Sequence, residues 1–291
     1  RKNRFLDFVS DLGRVNRRMH NKSLTADNMI SIAGGRNIGD EYFGAQLDVD
    51  FSDLDVMAIG PVVKDISSAF DLYWNSDYVI PLSAFATKET VKKKKLAALN
   101  DELDEFLEEA RNSPYAQALR ESDLVKKLEK KELQFFWGKA LLIYDHPSKV
   151  EASEVKDGTH MAVDLKKEMD ETQQELIIIS PYFVPGHNFV NYLTGLVKKG
   201  VNVKILTNSL AANDVPIVFA GYKGYRWDLI RGGVELYEFK PLLTKKERKK
   251  EDKQEDKKWI GSSRASLHAK SLGFDRQKIF VGSFNVDPRS V

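Results

Sequence analysis

An internal repeat constrains this chain more than any other feature. Residues 20–37 read HNKSLTADNMISIAGGRN and residues 268–285 read HAKSLGFDRQKIFVGSFN, a constant offset of 248 with no gap. Seven of the 18 positions are identical: His20/His268, Lys22/Lys270, Ser23/Ser271, Leu24/Leu272, Asp27/Asp275, Gly34/Gly282 and Asn37/Asn285. Residue frequencies alone would give about one match. The matches are mostly polar, and they include two of only five histidines in the chain. A repeat that served the fold alone would more easily keep apolar spacing, so this one points to a site built from two copies.

In each copy His and Lys stand two residues apart, which on a strand puts both side chains on one face. Lysine is a poor metal ligand and a good phosphate binder. Histidine serves as nucleophile, acid or base near neutral pH. Two such pairs meeting across an internal two-fold give one imidazole to attack phosphorus and another to protonate the leaving oxygen. The two lysines then neutralise the phosphoryl oxygens. Gly34 and Gly282 let backbone approach a ligand closely. The amides of Asn37 and Asn285 can donate to a phosphate oxygen, as can the hydroxyl of Ser283, which Gly35 replaces in the first copy. Asp27 and Asp275 complete the motif seven residues after each histidine. That odd spacing favours a bracing role over direct chemistry. A lone histidine is more often an ordinary core or surface residue, and His146, His160 and His187 are read that way. The chain has no cysteine and no His/Asp/Glu spacing of ligand type, so neither a metal nor a cofactor is expected.

Before the second motif, strands expected at Leu176–Ser180, Val201–Thr207 and Val234–Phe239 alternate with helices at Asn188–Lys199 and Tyr222–Arg231, a pattern of parallel βαβ units, and His268 is placed on a further strand. A strand is also expected within Leu47–Ile59. Between the motifs, Leu96, Leu99, Leu103, Phe106 and Leu107 line one face of a helix over Thr90–Ala110, and Glu121–Gln134 reads as a second helix. The organisation is therefore α/β: a first half over 1–84, a charged helical insert over 85–135, and a second half over 136–291. Only 19 residues precede His20, and the chain stops soon after the second motif, so it reads as a piece of a longer protein. The run Lys245–Lys258 has no apolar face and reads as a solvated loop, with contact to anionic lipid headgroups as the functional alternative. The net charge of +2 lacks the basic excess of a dedicated nucleic-acid binder. No apolar run is long enough for a helix to span a bilayer.

The motif HxKxxxxD, standing twice as His20-Lys22-Asp27 and His268-Lys270-Asp275 with a Gly…Asn segment after each, resembles the signature of the phospholipase D superfamily. GGRNIGDEYFG, SPYFVPG, NSLAANDVPIVFAGYKGYR and SSRASLHAKSLGFDRQKIFVGSFNVDPRS are similar to stretches of bacterial cardiolipin synthases of the C type. The resemblance implies two pseudo-symmetric sheet halves sharing one central active site, with no metal. It further implies a phosphohistidine intermediate on His20, with His268 as general acid and then base. Asp53 matches a carboxylate that holds a histidine ring in the family. Its second-half equivalent would lie beyond Val291, so the chain as given is expected to be impaired. The implied substrates are phospholipids, phosphatidylglycerol and also phosphatidylethanolamine, met at the membrane surface of a bacterial cell by a peripheral protein (the inner membrane in a Gram-negative cell). Nucleic acid is not an expected partner.

Overall fold

A computed structural model describes residues 19–43, 50–85, 93–150, 160–213, 215–240 and 265–287. The charge run Lys245–Lys258 lies outside them. The chain divides into two compact units, Arg1–Ser76 with Leu141–Val291, and Asp77–Ala140.

The larger unit begins with a hairpin of β1 (Ser23–Ala26) and β2 (Ile30–Gly34). β3 (Asp50–Ser52) and β4 (Asp55–Ile59) follow, then helix α1 (Val62–Trp74). β1, β2 and β4 form one antiparallel sheet in that order. α1 buries Val63, Ile66 and Ala69, an i, i+3, i+6 stripe on one helical face. The expected strand within Leu47–Ile59 is split by Asp53 and Leu54, and that break becomes important at the site.

The smaller unit holds helices α2 (Lys93–Arg111), α3 (Pro114–Arg120) and α4 (Asp123–Glu129). Three helices stand where the apolar spacing indicated two. Pro114 occupies the first turn of α3, where its missing N–H costs nothing. Ser113 and Ser122 cap α3 and α4 by accepting from the N–H of Ala116 and Val125. α4 stops short of Gln134, and Lys131 follows with a left-handed φ of 57°.

The second half of the larger unit runs α5 (Met161–Asp170), β5 (Glu175–Ile179), α6 (Gly186–Lys198), β6 (Asn202–Asn208), α7 (Pro216–Lys223), α8 (Arg226–Arg231), β7 (Glu235–Phe239), β8 (Ala265–Leu267), β9 (Ser271–Phe274) and β10 (Lys278–Val281). Its five-stranded sheet has the order β10-β9-β5-β6-β7. β5, β6 and β7 are parallel, as the βαβ reading requires, and the β9–β10 hairpin adds antiparallel to β5. One helix was expected over Tyr222–Arg231; the chain instead forms α7 and α8, separated at Gly224 and Tyr225. Leu176, Ile178, Val203 and Ile205 of the sheet and Leu193 and Leu229 of the helices are wholly buried. Burial of such side chains stabilises by roughly 1.5–3 kcal/mol each, which makes this sheet the rigid base for the second motif. Among the described residues parallel βαβ units occur only in this half; the first half contributes an antiparallel sheet with one helix.

The repeat is also a repeat of backbone. β1–β2 and β9–β10 are equivalent hairpins at the same offset of 248. Their turns match residue for residue: Asp27 and Asp275 both have φ of 52°, and Asn28 and Arg276 have φ of 55° and 56°. The turn bond from Met29 N–H to the Ala26 carbonyl recurs from Gln277 to Phe274, at 3.0 Å in both. Left-handed backbone is uncommon away from glycine, and Asp and Asn tolerate it best. Asp at the first turn position thus belongs to the hairpin itself.

Candidate active site

A short parallel ladder carries the second motif to the first half. β3 and β8 pair with Phe51 opposite Ser266 and Ser52 opposite Leu267. The ladder ends on one shared acceptor, because the N–H groups of His268 and Ala269 both donate to the Ser52 carbonyl, at 2.8 and 2.9 Å. That double bond to one oxygen turns the chain out of the ladder. Residues 268–270 therefore lie between β8 and β9, and not on a strand as the spacing suggested. The break after Ser52 falls beside the break after Leu267, and it brings Asp53 Oδ2 to 2.6 Å from His268 Nδ1. A buried side chain fixes β8 from its other edge. The Asn208 amide donates to the Leu267 carbonyl at 2.9 Å and accepts from the Leu267 N–H at 3.0 Å, a copy of strand pairing made by one residue.

His268 is 4% exposed. Tyr42 and Tyr182 meet its ring edge-on at centroid distances of 5.0 and 6.3 Å, and Phe51 lies tilted against it at 5.2 Å. Lys270 is fully buried; its ammonium lies 3.0 and 3.1 Å from the two ring nitrogens and also donates to the His268 carbonyl. The first copy repeats the last contact, with Lys22 Nζ donating to the His20 carbonyl at 2.9 Å. His20 reaches across to the second motif, its Nδ1 lying 2.9 Å from the Ser283 carbonyl. A carbonyl can only accept, so Nδ1 carries the hydrogen and the lone pair of the neutral ring sits on Nε2.

The electrostatics separate the groups. His20 keeps solvent at one edge, yet partial removal from water, followed by the charges of Lys22, Lys270 and His268, pushes its pKa down to about 4. At neutral pH the ring is uncharged. Burial lowers Lys22 to about 8, with the Asp53 carboxylate opposing that fall. Burial alone would push the Asp53 carboxyl up, but the hydrogen bond from His268 and the charges of Lys270 and His268 hold it below the usual carboxylate range. Asp53 therefore remains an anion that orients the His268 ring and stabilises positive charge on it. Two lysines, a neutral imidazole and a carboxylate-backed imidazole suit displacement at a phosphodiester.

The other residues singled out in the sequence fall in three places. Gly34 and Gly35 are demanded by close approach: a Cβ on Gly34 would stand 2.1 Å from Asp55 Oδ1 and 2.7 Å from the Leu54 carbonyl, and one on Gly35 2.6 Å from Asp53 Oδ1. Asn37 donates to the Tyr42 hydroxyl at 2.7 Å and so acts on the wall around His268. Asn285 is buried at 5% exposure, and Ser283 enters through its carbonyl. Asp275 stands apart from the histidine it follows. Its carboxylate takes the backbone N–H groups of Gln173, Gln174 and Glu175 at 3.0, 2.7 and 2.9 Å, and those donors hold its pKa below the usual range. Asp275 thus pins the start of β5, and Asp27 occupies the equivalent hairpin turn. Asp275→Ala should lower the urea midpoint while the folded enzyme keeps its kcat. A fall in kcat at an unchanged midpoint would return Asp275 to the chemistry.

Sequence reasoning missed Tyr42, Phe51, Tyr182 and Asn208. The repeat could not mark them, since position 290 opposite Tyr42 is Ser and position 299 opposite Phe51 lies beyond the chain. Tyr42 and Tyr182 do sit inside GGRNIGDEYFG and SPYFVPG, where resemblance was the only signal.

Comparison with known proteins agrees with this geometry. Residues 165–291 match a family described as cardiolipin synthase, PLD-like domain. The chain is 42% identical over 98% of its length to cardiolipin synthase C of Escherichia coli K12, of which it covers 58%. It is 31% identical over 99% of its length to an uncharacterised protein of Helicobacter pylori J99, of which it covers 54%. The chain thus spans little more than half the length of these relatives. A crystal structure of phosphatidylserine synthase from Haemophilus influenzae shares the fold over 94% of this chain and 55% of its own, with a TM-score of 0.51 at 16% identity. Sequence match, fold and duplicated hairpin therefore converge: residues 165–291 match a phospholipase D-like domain, in a chain that is similar over nearly its whole length to part of a cardiolipin synthase.

Proposed function

We propose that the protein transfers a phosphatidyl group between phospholipids to make cardiolipin, through a covalent intermediate on His20. The observation that carries this reading is the different partner of each Nδ1. His20 meets the neutral Ser283 carbonyl, which suits an uncharged ring that attacks through Nε2; His268 meets the Asp53 carboxylate, which favours a protonated ring able to give up a proton. His20 Nε2 forms a bond to phosphorus, the bond to the head-group oxygen breaks, and that oxygen leaves with the proton from His268. The hydroxyl of phosphatidylglycerol then gives its proton to His268, attacks phosphorus and releases His20. Lys22 and Lys270 neutralise the phosphoryl oxygens in both steps, the role that a divalent ion fills in other phosphodiesterases. In this reading the halves over 1–84 and 136–291 supply one His/Lys pair each. The donor is phosphatidylglycerol or phosphatidylethanolamine, and the protein works peripherally at a bacterial membrane. No described helix is long and apolar enough to cross one.

Incubation of the full-length protein with labelled phosphatidylglycerol, phosphatidylethanolamine and single-stranded DNA, with thin-layer separation of products, tests the reading. Cardiolipin formed in EDTA supports it. Phosphatidic acid alone makes the protein a hydrolase, and cleaved DNA makes it a nuclease.

The pKa values give the pH dependence its sign. Activity requires neutral His20 and charged Lys22, so it rises through about pH 4 and falls through about pH 8. Lys22→Arg should lose at least about a hundredfold in rate, in line with loss of one transition-state donor, and so should Lys270→Arg. The residual activity of Lys22→Arg should lack the fall near pH 8, because a guanidinium stays charged there. An alkaline limb that persists unchanged in that variant belongs to another group.

A further inference from the structure

A cleft of about 180 Å³ opens beside the first motif. Lys22 and Ser283 are among its lining residues. Its walls are Ile66, Ala69 and Phe70 of α1, with Leu142 and Ile143 among the residues facing them. Apart from Lys22 and a few small polar groups the lining is apolar, and the volume exceeds the roughly 150 Å³ that holds the six carbons of benzene. The same helix carries apolar side chains out into solvent. Phe70, which lines the cleft, is 52% exposed, and it stacks on Trp74, 65% exposed, at 5.7 Å. A path of apolar surface thus runs from solvent along α1 to an ammonium of the active site.

We propose that this cleft is a hydrocarbon slot. It takes the first carbons of the acyl-glycerol moiety whose phosphate lies at Lys22, and it selects lipid phosphodiesters over water-soluble ones. The inference rests on the phosphodiester reading of the site and names the part of the substrate that reading leaves unplaced. A cationic group in a lining that is otherwise mainly apolar matches an amphiphile with an anionic head. The size of the slot fits only the head-proximal carbons, so the rest of the chains stay in the membrane against Phe70 and Trp74.

Binding of ethyl, butyl, hexyl and octyl phosphate to the full-length protein, measured by calorimetry, reads the slot without turnover. Affinity should rise about threefold to fourfold per methylene up to hexyl phosphate and then level off. Ala69→Leu, which narrows the slot, should weaken hexyl phosphate at least about tenfold more than ethyl phosphate. Phe70→Ala, at a half-exposed position that tolerates truncation, should flatten the chain-length series. Affinity that does not vary with chain length overturns the slot, as does equal weakening of ethyl and hexyl phosphate in both variants. Release of p-nitrophenol from a p-nitrophenyl ester of a short-chain phosphatidic acid is followed in parallel. If it persists while the chain-length series is flat, the slot alone fails; if it is absent from the unaltered protein, the phosphodiester reading fails first.

Discussion

His20→Ala abolishes turnover, a loss on the order of 10⁴-fold or more, because the uncharged imidazole proposed to attack phosphorus is removed. The protein stays folded, since His20 is exposed and its hydrogen bond goes to a single carbonyl. His268→Asn has a different phenotype. It removes the proton donor and keeps the nucleophile, so a substrate with a good leaving group still forms the covalent intermediate, which then accumulates. Burst kinetics with a p-nitrophenyl ester separate the two variants. An adduct on His268 in the His20→Ala protein reverses the two roles.

Asp53→Asn is the second large effect, about 10²–10⁴-fold in kcat by analogy with the buried aspartate of a serine-protease triad. Asp53 sits in the first half and holds the histidine of the second, so this one substitution uncouples the halves. An asparagine can present its NH₂ to Nδ1 and favour the tautomer with hydrogen on Nε2, or lose the ring orientation altogether. Asp53 touches no reacting atom and is a positioning residue. Its signature is therefore a changed His268 tautomer in ¹⁵N spectra and a displaced pH profile, at a KM close to that of the unaltered protein. An unchanged tautomer with lowered thermal stability would make its role one of packing.

Much of this arrangement was legible in the sequence because the repeat records it twice. The repeat marked Asp27 and Asp275 as bracing residues, and the structure places each of them at the left-handed turn of a hairpin. The parallel strands β5, β6 and β7 were legible from apolar runs that alternate with helical segments. What escaped were features set by partners distant in the chain. The turn of the backbone at His268 depends on the Ser52 carbonyl, 216 residues earlier. The pairing of Asp53 with the opposite histidine depends on β3 lying against β8, and three-residue strands carry too little periodicity to announce it. Tyr42, Phe51 and Tyr182 form the wall around His268 through tertiary packing alone. The ends of the helices between the motifs follow local rules instead, set by Pro114, Ser122 and Lys131.

The central claim is that both motifs serve one phosphorus through a histidine adduct. It is tested most directly by quenching the His268→Asn protein during turnover of a phosphatidyl ester with a good leaving group, then mapping the adduct by mass spectrometry under alkaline conditions. The geometry predicts a phosphatidyl group on His20, near one per chain and absent from His20→Ala. Sustained turnover with no adduct on either histidine would contradict it.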